Sequence, residues 1–370
     1  MAKLGEVATY INGYAFKPSD WSNIGLPIIR IQDLTGTSYK TNRYNGSYDK
    51  KYEVNNGDVL ISWSGSLGVF VWTSGKAVLN QHIFKVVFDK TNVNKDFFVY
   101  QIESILQKAQ KSAHGATMKH LTKPIFDSLN FYLPSIREQN RIAVQLSHIS
   151  LLIKKQKKQL EQLDLLVKSR FIEMFGDIII NDKKWVRKPL GDLCCISRGG
   201  SPRPINQFLG GTVPWIKIGD ATKGDNIYLT KTKEHIISDG VKNSHLVKPG
   251  SLIFANCGVS LGFARIITFE GCIHDGWLSF EDIDQSLDKV FLLLTLNFMT
   301  GYFRNTAPAG TQPNLNTTIM KQYMQIVPPL EMQKEYVIFV KQIDKSKLAI
   351  QQSLEKLEIL KKSLMQEYFG

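Results

Sequence analysis

Cysteine is scarce in this chain of 370 residues, and its four cysteines form none of the patterns that depend on them. Cys194 and Cys195 are adjacent, while Cys257 and Cys272 are isolated, so the spacing provides neither a disulfide framework nor a zinc knuckle. Cys272-x-His274 resembles half of a metal site, but no second pair lies at zinc spacing, which favours a turn with a free thiol. We therefore expect a reducing, cytoplasmic setting and no metal.

Long apolar runs are also missing. The longest, Phe291 to Leu296, is far shorter than a bilayer span. A secretion signal has a basic segment followed by an apolar one, and the N-terminal sequence Met-Ala-Lys-Leu-Gly-Glu does not have this pattern. The sequence predicts a chain that is neither exported nor membrane-spanning.

Catalytic motifs are absent as well. The nearest approach to a phosphate-binding P-loop, Ser74-Gly75-Lys76-Ala77, lacks the first glycine and the hydroxyl residue. Val327-Pro-Pro-Leu330 lacks the polar residue and the aromatic residue of an amino-methyltransferase loop, and no glycine-rich cofactor loop accompanies it. We expect no cofactor on this chain and a partner for any catalysis.

Acidic residues are few relative to basic ones: 33 Asp and Glu against 46 Lys and Arg leave a net charge of +13. Such a surface attracts polyanions, and nucleic acid is the leading candidate. The content of 43% hydrophobic and 21% charged residues is that of a globular protein, which excludes an intrinsically disordered one.

The chain contains an internal duplication, which we call copy 1 and copy 2. The copies begin alike, keep similar segments at growing offsets, and end in a stretch that aligns without a gap. The matching segments are Lys3-Leu-Gly-Glu-Val and Pro189-Leu-Gly-Asp-Leu, Leu26 to Asp33 and Val213 to Asp220, Gly57 to Ser62 and Gly250 to Ala255, and Pro134 to Gly176 and Pro328 to Gly370.

Within each copy, the spacing of apolar residues changes from a strand pattern to a helix pattern. The first part of each copy contains short β-branched runs, such as Val59 to Trp63, separated by Gly, Asn and Ser turns. Copy 1 also has a helical stretch from Asp96 to Lys111, so these patterns predict an α+β domain. Apolar residues then recur at spacings of three and four, which predicts a long helix with a coiled-coil seam. We expect domains at 1–134 and 181–328, each followed by a long helix, at 135–180 and 329–370.

The predicted seam residues are Leu146, Ile149, Ile153, Leu160, Leu163 and Val167 in copy 1, and Val340, Ile343, Ile350, Leu354 and Leu357 in copy 2. Lys347 and Lys361 fall on seam positions, so the pairing cannot be a uniform two-stranded coil. Leu360 and Leu364 suggest that the stripe drifts there.

A helix of roughly 37 residues, about 55 Å long at 1.5 Å per residue, would leave its stripe in water if it were alone. Because the copies are joined head to tail, a pseudo-two-fold arrangement is expected, with the helices antiparallel and the α+β domains at opposite ends. The resulting separation would be comparable to one turn of DNA, about 34 to 36 Å.

These features resemble the specificity subunit of Type I restriction-modification systems over the whole chain. The similar signatures are Leu-Gly-Glu or Leu-Gly-Asp opening each domain, Trp185 before the second opening, Gly310-Thr-Gln-Pro-Asn-Leu-Asn316, Leu133-Pro-Ser-Ile-Arg-Glu-Gln139 and Met174-Phe-Gly-Asp177. Copy 1 departs from the pattern, because no equivalent of Trp185 precedes its opening. Its first strand is therefore expected to be missing or differently built.

The resemblance implies a non-catalytic DNA reader. Each domain would bind half of a split target, and the paired helices would act as a ruler and dock two methyltransferase subunits. Motor-nuclease subunits would complete a restricting complex. S-adenosylmethionine, ATP and Mg²⁺ would belong to these partners.

Candidate DNA contacts lie in polar loops and strand ends, where Arg suits phosphate or guanine, and Asn or Gln suits adenine. In copy 1 they are Lys17, Trp63, Ser64, Ser66, Asn80, Gln81, His82, His114, Thr117, Lys119, His120 and Lys123. In copy 2 they are Arg198, Arg203, Asn256, Ser260, His274, Thr311, Gln312, Asn314 and Asn316.

Structural explanations stand beside these assignments. Trp63-Ser64 and Asn256-Cys257 differ where their flanks match, as two domains that read different half-sites would, or through ordinary drift. Tight turns explain the glycines near Ser66 and Ser260, a surface loop explains the arginines, and buried capping explains Asn80 and His274.

For the loops ending at Lys123 and Asn316 we favour DNA contact over helix capping. The run from Lys154 to Lys158 lies off the seam, where it is most simply solvated.

Two other functions remain open: a coiled-coil scaffold with two ligand-binding ends, which would bind no duplex, and a self-contained methyltransferase or nuclease, which the missing motifs argue against. The target sequence, the spacer length and the presence of a restriction activity do not follow from the sequence.

Overall fold

The structure is a computed structural model that describes residues 1–112, 122–222, 224–258, 260–307 and 314–370. It divides into two compact units. Unit 1 comprises Met1–Lys158 and Ile350–Gly370, and unit 2 comprises Gln159–Ala349. Each unit therefore combines one globular domain with parts of both long helices.

In the described part of the chain, the first globular domain contains ten short strands and four helices before the first long helix. The strands are β1 (Ala2–Lys3), β2 (Thr9–Asn12), β3 (Leu26–Ile29), β4 (Arg43–Tyr44), β5 (Glu53–Val54), β6 (Val59–Ser62), β7 (Gly68–Val71), β8 (Ala77–Leu79), β9 (Ile83–Val87) and β10 (Asn130–Phe131). The helices are α1 (Leu4–Val7), α2 (Ile31–Thr35), α3 (Lys95–Ser112), α4 (Lys123–Ser128) and the long α5 (Ile136–Phe175), with 3-10 turns at Pro18–Asp20 and Lys50–Tyr52.

The second globular domain is built in the same way. Its strands are β11 (Arg187–Pro189), β12 (Cys195–Arg198), β13 (Leu209–Ile216), β14 (Tyr228–Leu229), β15 (Glu234–Ile236), β16 (His245–Val247), β17 (Leu252–Ala255), β18 (Ala264–Ile267), β19 (Gly271–Ile273), β20 (Trp277–Glu281) and β21 (Met324–Ile326). Its helices are α6 (Leu190–Leu193), α7 (Ser238–Val241), α8 (Lys289–Phe298), α9 (Thr300–Thr306), α10 (Thr317–Gln322) and the long α11 (Leu330–Phe369), with 3-10 turns at Ile205–Gln207 and Ile218–Ala221.

The two main sheets of each domain have the same strand order, apart from one additional strand in copy 2. One sheet has the order β2-β9-β6-β7 in copy 1 and β12-β20-β17-β18 in copy 2, where β14 adds a fifth strand. The other has the order β4-β3-β8-β5 in copy 1 and β15-β13-β19-β16 in copy 2. In both copies this second sheet includes one parallel pair, β3 with β8 and β13 with β19. The duplication expected from the sequence is confirmed.

The central strands are buried on both faces, and their residues alternate between two cores. In β6, Val59 and Ile61 pack into the cluster that contains helix α3, whereas Leu60 packs into a cluster formed with the other sheet. In β17, Leu252 and Phe254 likewise face one cluster, and Ile253 faces the other. The two-residue period of a strand thus joins both sheets in each domain.

An opening strand is present in copy 1 despite the missing tryptophan. β1 pairs antiparallel with β10, as β11 pairs with β21 in copy 2, and the copy 1 pairing is one residue pair shorter. Trp185 supports the copy 2 opening by donating its indole N–H to the Phe175 carbonyl at 2.9 Å.

The two long helices contain 40 residues each and end at matching positions. Gly176 follows α5 with a φ of 72°, the left-handed conformation that ends helices, so α5 ends before the expected boundary at 180. Phe175, near this end, packs on Phe291 in unit 2, and Phe369 packs on Phe97 in unit 1. Each helix thus ends inside a hydrophobic core.

The helices are antiparallel within each unit, as expected. In unit 1, Gln145 bonds to Tyr368, and Gln156 donates to Ser353 at 2.7 Å. In unit 2, Asp164 pairs with Lys347, and Arg170 pairs with Glu335 at 2.7 Å. All predicted seam residues are buried or partly buried, whereas Leu360 is 46% exposed.

Candidate nucleic-acid interface

Copy 1 brings two separately predicted segments together around Trp63. The Trp63 ring lies 5.0 Å from the His82 ring and stacks on Phe84, with 5.6 Å between centroids. Its indole N–H donates to Asn12 Oδ1 at 3.2 Å. Ser64, beside it, is buried. Asn12 is a member of this cluster that the sequence pattern did not indicate, because it lies on β2, far away in the chain.

The segment Asn80-Gln81-His82 follows β8 and has unusual features. His82 has a φ of 70°, a conformation that non-glycine residues seldom adopt. Asn80 Oδ1 and His82 Nδ1 are buried and have no hydrogen-bond partner among the described residues. Such orphaned polar atoms are uncommon in folded proteins, and a ligand that satisfied them would be stabilised. The capping explanation therefore does not account for these two atoms.

Three other copy 1 candidates are exposed. Lys17 precedes a 3-10 turn, where its backbone N–H donates to Asp20. Ser66 lies in the turn after β6. Lys123, at the start of α4, pairs with Asp127 at 2.6 Å, so part of its charge is already neutralised.

Copy 2 presents a cluster centred on Asp275. Its carboxylate accepts a hydrogen bond from Ser201 at 2.9 Å, and Arg203 lies 3.4 Å away. Arg198 donates to the Asp275 backbone carbonyl at 3.2 Å. Partial burial acts to raise the pKa of Asp275, but the Ser201 hydrogen bond and the charges of His274 and the two arginines lower it overall. Asp275 therefore holds both predicted arginines on one surface.

His274 is oriented by two hydrogen bonds. Its Nδ1 accepts from the Gly276 backbone N–H at 2.9 Å, and its Nε2 lies 2.9 Å from Asp275 Oδ1. Burial lowers the pKa of His274, although the neighbouring Asp275 acts in the opposite direction. Both ring nitrogens are thus engaged within the protein, and the imidazole can offer a ligand only its face and carbon edge.

Asn256 joins the end of β17 to the segment around Asn314. The Asn256 side chain is fully buried and donates to Asn314 Oδ1 at 3.2 Å, and the backbone carbonyl of Asn256 accepts from the Leu315 backbone N–H at 2.8 Å. DNA cannot reach Asn256 without a rearrangement of this loop. Ser260, nearby in sequence, is partly buried.

Asn316 is exposed and caps helix α10, because its Oδ1 accepts from the Ile319 backbone N–H at 2.9 Å. The helix-cap alternative therefore describes Asn316. Six predicted contacts lie outside the described residues: His114, Thr117, Lys119, His120, Thr311 and Gln312.

The basic run on α5 is exposed, as a solvated face would be. Lys157 pairs with Glu358 at 2.8 Å, and both side chains are about half exposed. Within the described part of the chain, no group of three His, Cys, Asp or Glu residues is placed to hold a metal. Cys272 is buried, which raises the pKa of its thiol. No helix among the described residues is long and apolar enough to cross a membrane.

The family model of the Type I restriction modification DNA specificity domain matches residues 1–163 and again residues 182–360. The chain belongs to this family. The two matches follow the two copies and confirm the family expected from the sequence. The structure itself confirms the two α+β domains. The chain is thus a DNA specificity protein of the Type I restriction-modification family.

Curated relatives carry the same assignment. The Type I restriction enzyme EcoBI specificity subunit of Escherichia coli is 29% identical over 193 residues, which cover 50% of this chain and 40% of that protein. The MjaVIII specificity subunit of Methanocaldococcus jannaschii is 23% identical over 342 residues, covering 86% of this chain and 79% of that protein.

Solved structures support the fold of this Type I specificity protein. A structure described as the basis of complex assembly and conformational transition of the type I R-M system has a TM-score of 0.63 and 15% identity, and the match covers all of this chain and 96% of that one. The S subunit from M. genitalium has a TM-score of 0.59 and 14% identity, with coverage of 100% and 95%.

Proposed function

We propose that this chain recognises a bipartite DNA target, with one half bound by each globular domain. The observation that carries the proposal is that the same two-sheet scaffold occurs twice with different side chains at equivalent strand ends. Asn12 ends β2 where Arg198 ends β12, the corresponding strand of copy 2, and both residues are exposed. A duplicated scaffold with unlike loops suits two different half-sites, because base contacts determine specificity and the scaffold only positions them.

Electrostatics favour a DNA ligand for these surfaces. The net charge of +13 attracts phosphate, and Arg198 and Arg203 have the planar donor geometry for phosphate or guanine. Arg203 is the more available of the two, since its side chain is 79% exposed. We place the protein in the cytoplasm, where its DNA would be found.

The long helices would set the spacer between the half-sites. Each contains 40 residues and would extend about 60 Å at 1.5 Å per residue. Because the helices are antiparallel and both ends are packed in hydrophobic cores, a change in their length should move one domain relative to the other.

The outer surface of the helices favours two copies of one partner. Leu165 and Leu166 are 64% and 45% exposed, and their equivalents in copy 2, Ile359 and Leu360, are 62% and 46% exposed. Exposed positions are free to diverge, so shared apolar residues there support a shared binding role. We infer two methyltransferase subunits, one on each patch, with motor-nuclease subunits added in a restricting complex. S-adenosylmethionine, ATP and Mg²⁺ would be bound by these partners.

Methylated adenines mapped across the genome, with and without this chain, test the DNA proposal. We expect a two-part methylated sequence that disappears when the gene is deleted and returns on complementation. Replacing residues 1–134 by the matching domain of a relative should change one half of that sequence only. An unchanged methylation map, or a change in both halves, would contradict the assignment of one half-site to each domain.

The partner proposal is tested by the mass of the complex assembled with the methyltransferase. Leu165→Glu with Leu166→Glu should remove one of two partner subunits, Ile359→Glu with Leu360→Glu should remove the other, and the four changes together should remove both. Leu151→Glu is a matched control, because Leu151 is also exposed but its equivalent is Lys345. Two partners retained by the fourfold variant would refute the docking surface.

A further inference from the structure

A cavity of about 420 Å³ opens in unit 2, next to the cluster centred on Asp275. Apolar side chains and Trp215 form much of its lining, together with Lys217, Glu234 and His274. A second recess of about 550 Å³ shares Trp215 and His274 and extends to Arg203. Both lie in the range of small-ligand sites, about 300 to 1,000 Å³.

Two aromatic rings make the shared wall of these recesses. The Trp215 and His274 rings lie 5.5 Å apart at an angle of 54°. Lys217 Nζ lies 5.6 Å from the Trp215 ring centroid and is held by Glu234 at 2.5 Å. Trp215 is only 4% exposed and supports this wall from behind, whereas the His274 side chain is 34% exposed and presents its ring to the recess. A planar ring is the group that gains most from such a surface, because it can stack on the imidazole.

The polar groups of this wall are unequally satisfied. Both nitrogens of His274 are engaged by Gly276 and Asp275, so the imidazole presents a surface for stacking. The indole Nε1 of Trp215 is buried and has no hydrogen-bond partner among the described residues. An unsatisfied buried donor is unfavourable, and a ligand with acceptor atoms on a planar ring could relieve this by a small shift.

Cations lie on or near the lining of both recesses. Arg203 lies on the lining of the second recess, and Arg198 approaches the same Asp275 from its backbone side. A planar ring with an anionic linkage on either side would match both features. Nucleic acid provides that combination, since each base is flanked by two phosphates.

This arrangement is specific to copy 2. Trp215 aligns with Ile28 of copy 1, a buried aliphatic residue that packs with Phe16 and Val78. An aromatic wall at this position is therefore not part of the shared scaffold, as expected for a feature that distinguishes one half-site from the other.

We propose that the Trp215 cavity accepts one unstacked nucleobase of the half-site bound by copy 2. The base stacks on the His274 ring, which Trp215 supports from behind, and Arg198 and Arg203 hold the adjacent phosphates. This inference rests on the proposed function and adds to it a site for a single extrahelical base.

Binding of the full chain to duplexes that carry the mapped target tests the proposal. Each position of the copy 2 half-site is given a mismatch in turn by changing the opposite strand. Because a mismatch removes the energy needed to unpair a base, one position should bind at least about tenfold more tightly when mismatched. The same mismatches in the copy 1 half-site should give no gain.

Variants then locate the effect. Trp215→Leu should abolish the gain from the mismatch, Trp215→Phe should retain most of it, and Trp21→Leu, at an exposed tryptophan of copy 1, should leave it unchanged. Thermal unfolding checks that each variant is folded. The mismatch series measured on the wild-type protein tests the proposal even if a variant does not fold.

Three results would overturn the inference. Tight binding of the matched target without any favourable mismatch would refute the cavity assignment and leave the proposed function intact. Quenching of tryptophan fluorescence by free dAMP, dCMP, dGMP or dTMP at micromolar concentration, lost in Trp215→Phe, would assign the cavity to free nucleotides instead. Failure to bind the mapped duplex at all would refute the proposed function together with the cavity.

Discussion

Lys347 Nζ lies 2.5 Å from Asp164 Oδ1, and this ion pair places a lysine on the helix seam of unit 2. A second carboxylate, Asp344, lies 3.7 Å from the same ammonium. The Lys347 side chain is only 13% exposed. Lys361, the other seam lysine, lies 3.9 Å from Glu103 and 5.4 Å from the centre of the Tyr100 ring. Partners from other elements thus explain how a coiled-coil seam accommodates both charges.

Lys347→Met should lower the free energy of unfolding by about 1–3 kcal/mol, because it removes a largely buried ammonium and leaves the partly buried carboxylate of Asp344 without its cation. Urea unfolding measures this change. Lys157→Met is the matched control: its pair with Glu358 is exposed, and exposed pairs contribute about 0–1 kcal/mol. Equal losses in the two variants would mean that burial does not govern these pairs.

Asp344 should make the stability depend on pH. Burial raises its pKa, the neighbouring Lys347 acts in the opposite direction, and Asp225 and Asp164 raise it further. Above the usual pKa of an aspartate, about 4, the folded state retains a proton that the unfolded chain has lost, so stability falls as pH rises through this window. Asp344→Asn should remove that fall. Unfolding curves measured from pH 4 to 7 test it, and identical slopes for the two proteins would contradict it.

Gln333→Ala should destabilise the start of α11. The buried Gln333 amide donates to the carbonyls of Ser286 and Pro328, and its oxygen accepts from the Asp288 N–H. Its loss leaves buried polar groups without hydrogen-bond partners, which should lower the free energy of unfolding by about 3 kcal/mol in total. Chemical unfolding monitored by circular dichroism measures the loss. Gln351→Ala, at an exposed position of the same helix, should change stability by less than about 0.5 kcal/mol.

Arg203→Gln should weaken DNA binding and reduce the slope of log affinity against log salt concentration by about 1, as the loss of one phosphate contact does. Fluorescence anisotropy at several salt concentrations measures both. Lys123→Gln is the comparison, because Asp127 already partly neutralises Lys123 and its effect should be smaller. An unchanged slope for Arg203→Gln would remove this residue from the interface.

Lengthening both helices should lengthen the spacer of the target. Four residues inserted after Gln156, with four after its hydrogen-bond partner Ser353, add about 6 Å of rise, close to two base pairs, and rotate the helix by roughly 40°. If the coiled coil absorbs the rotation, the methylation map should keep both half-sites with one or two more base pairs between them.

A four-residue insertion after Gly36, in an exposed turn of copy 1, controls for general disturbance of the chain and should leave the spacer unchanged. The original spacer with full activity in the helix variant would show that the helices do not set the distance.

The interface could be predicted from the sequence only in part. The two arginines of copy 2 and the Trp63 segment were predicted as DNA contacts, and in the structure both lie in clusters with nearby polar partners. Asn256 was predicted as a DNA contact for the same reasons, but its side chain is fully buried. Residue type cannot distinguish these outcomes, because an asparagine at a strand end can cap a loop or contact a base.

The sequence by itself determined the duplication, the two long helices with their seam residues and the family. These depend on local periodicity and on identities at fixed offsets, which require no knowledge of the chain path. Only the tertiary structure decided which side chains meet across the chain: Asp275 with two arginines, Lys347 with Asp164, and the rings of Trp215 and His274. Burial and long-range contact set those pairings, and they arise when distant strands and helices pack together.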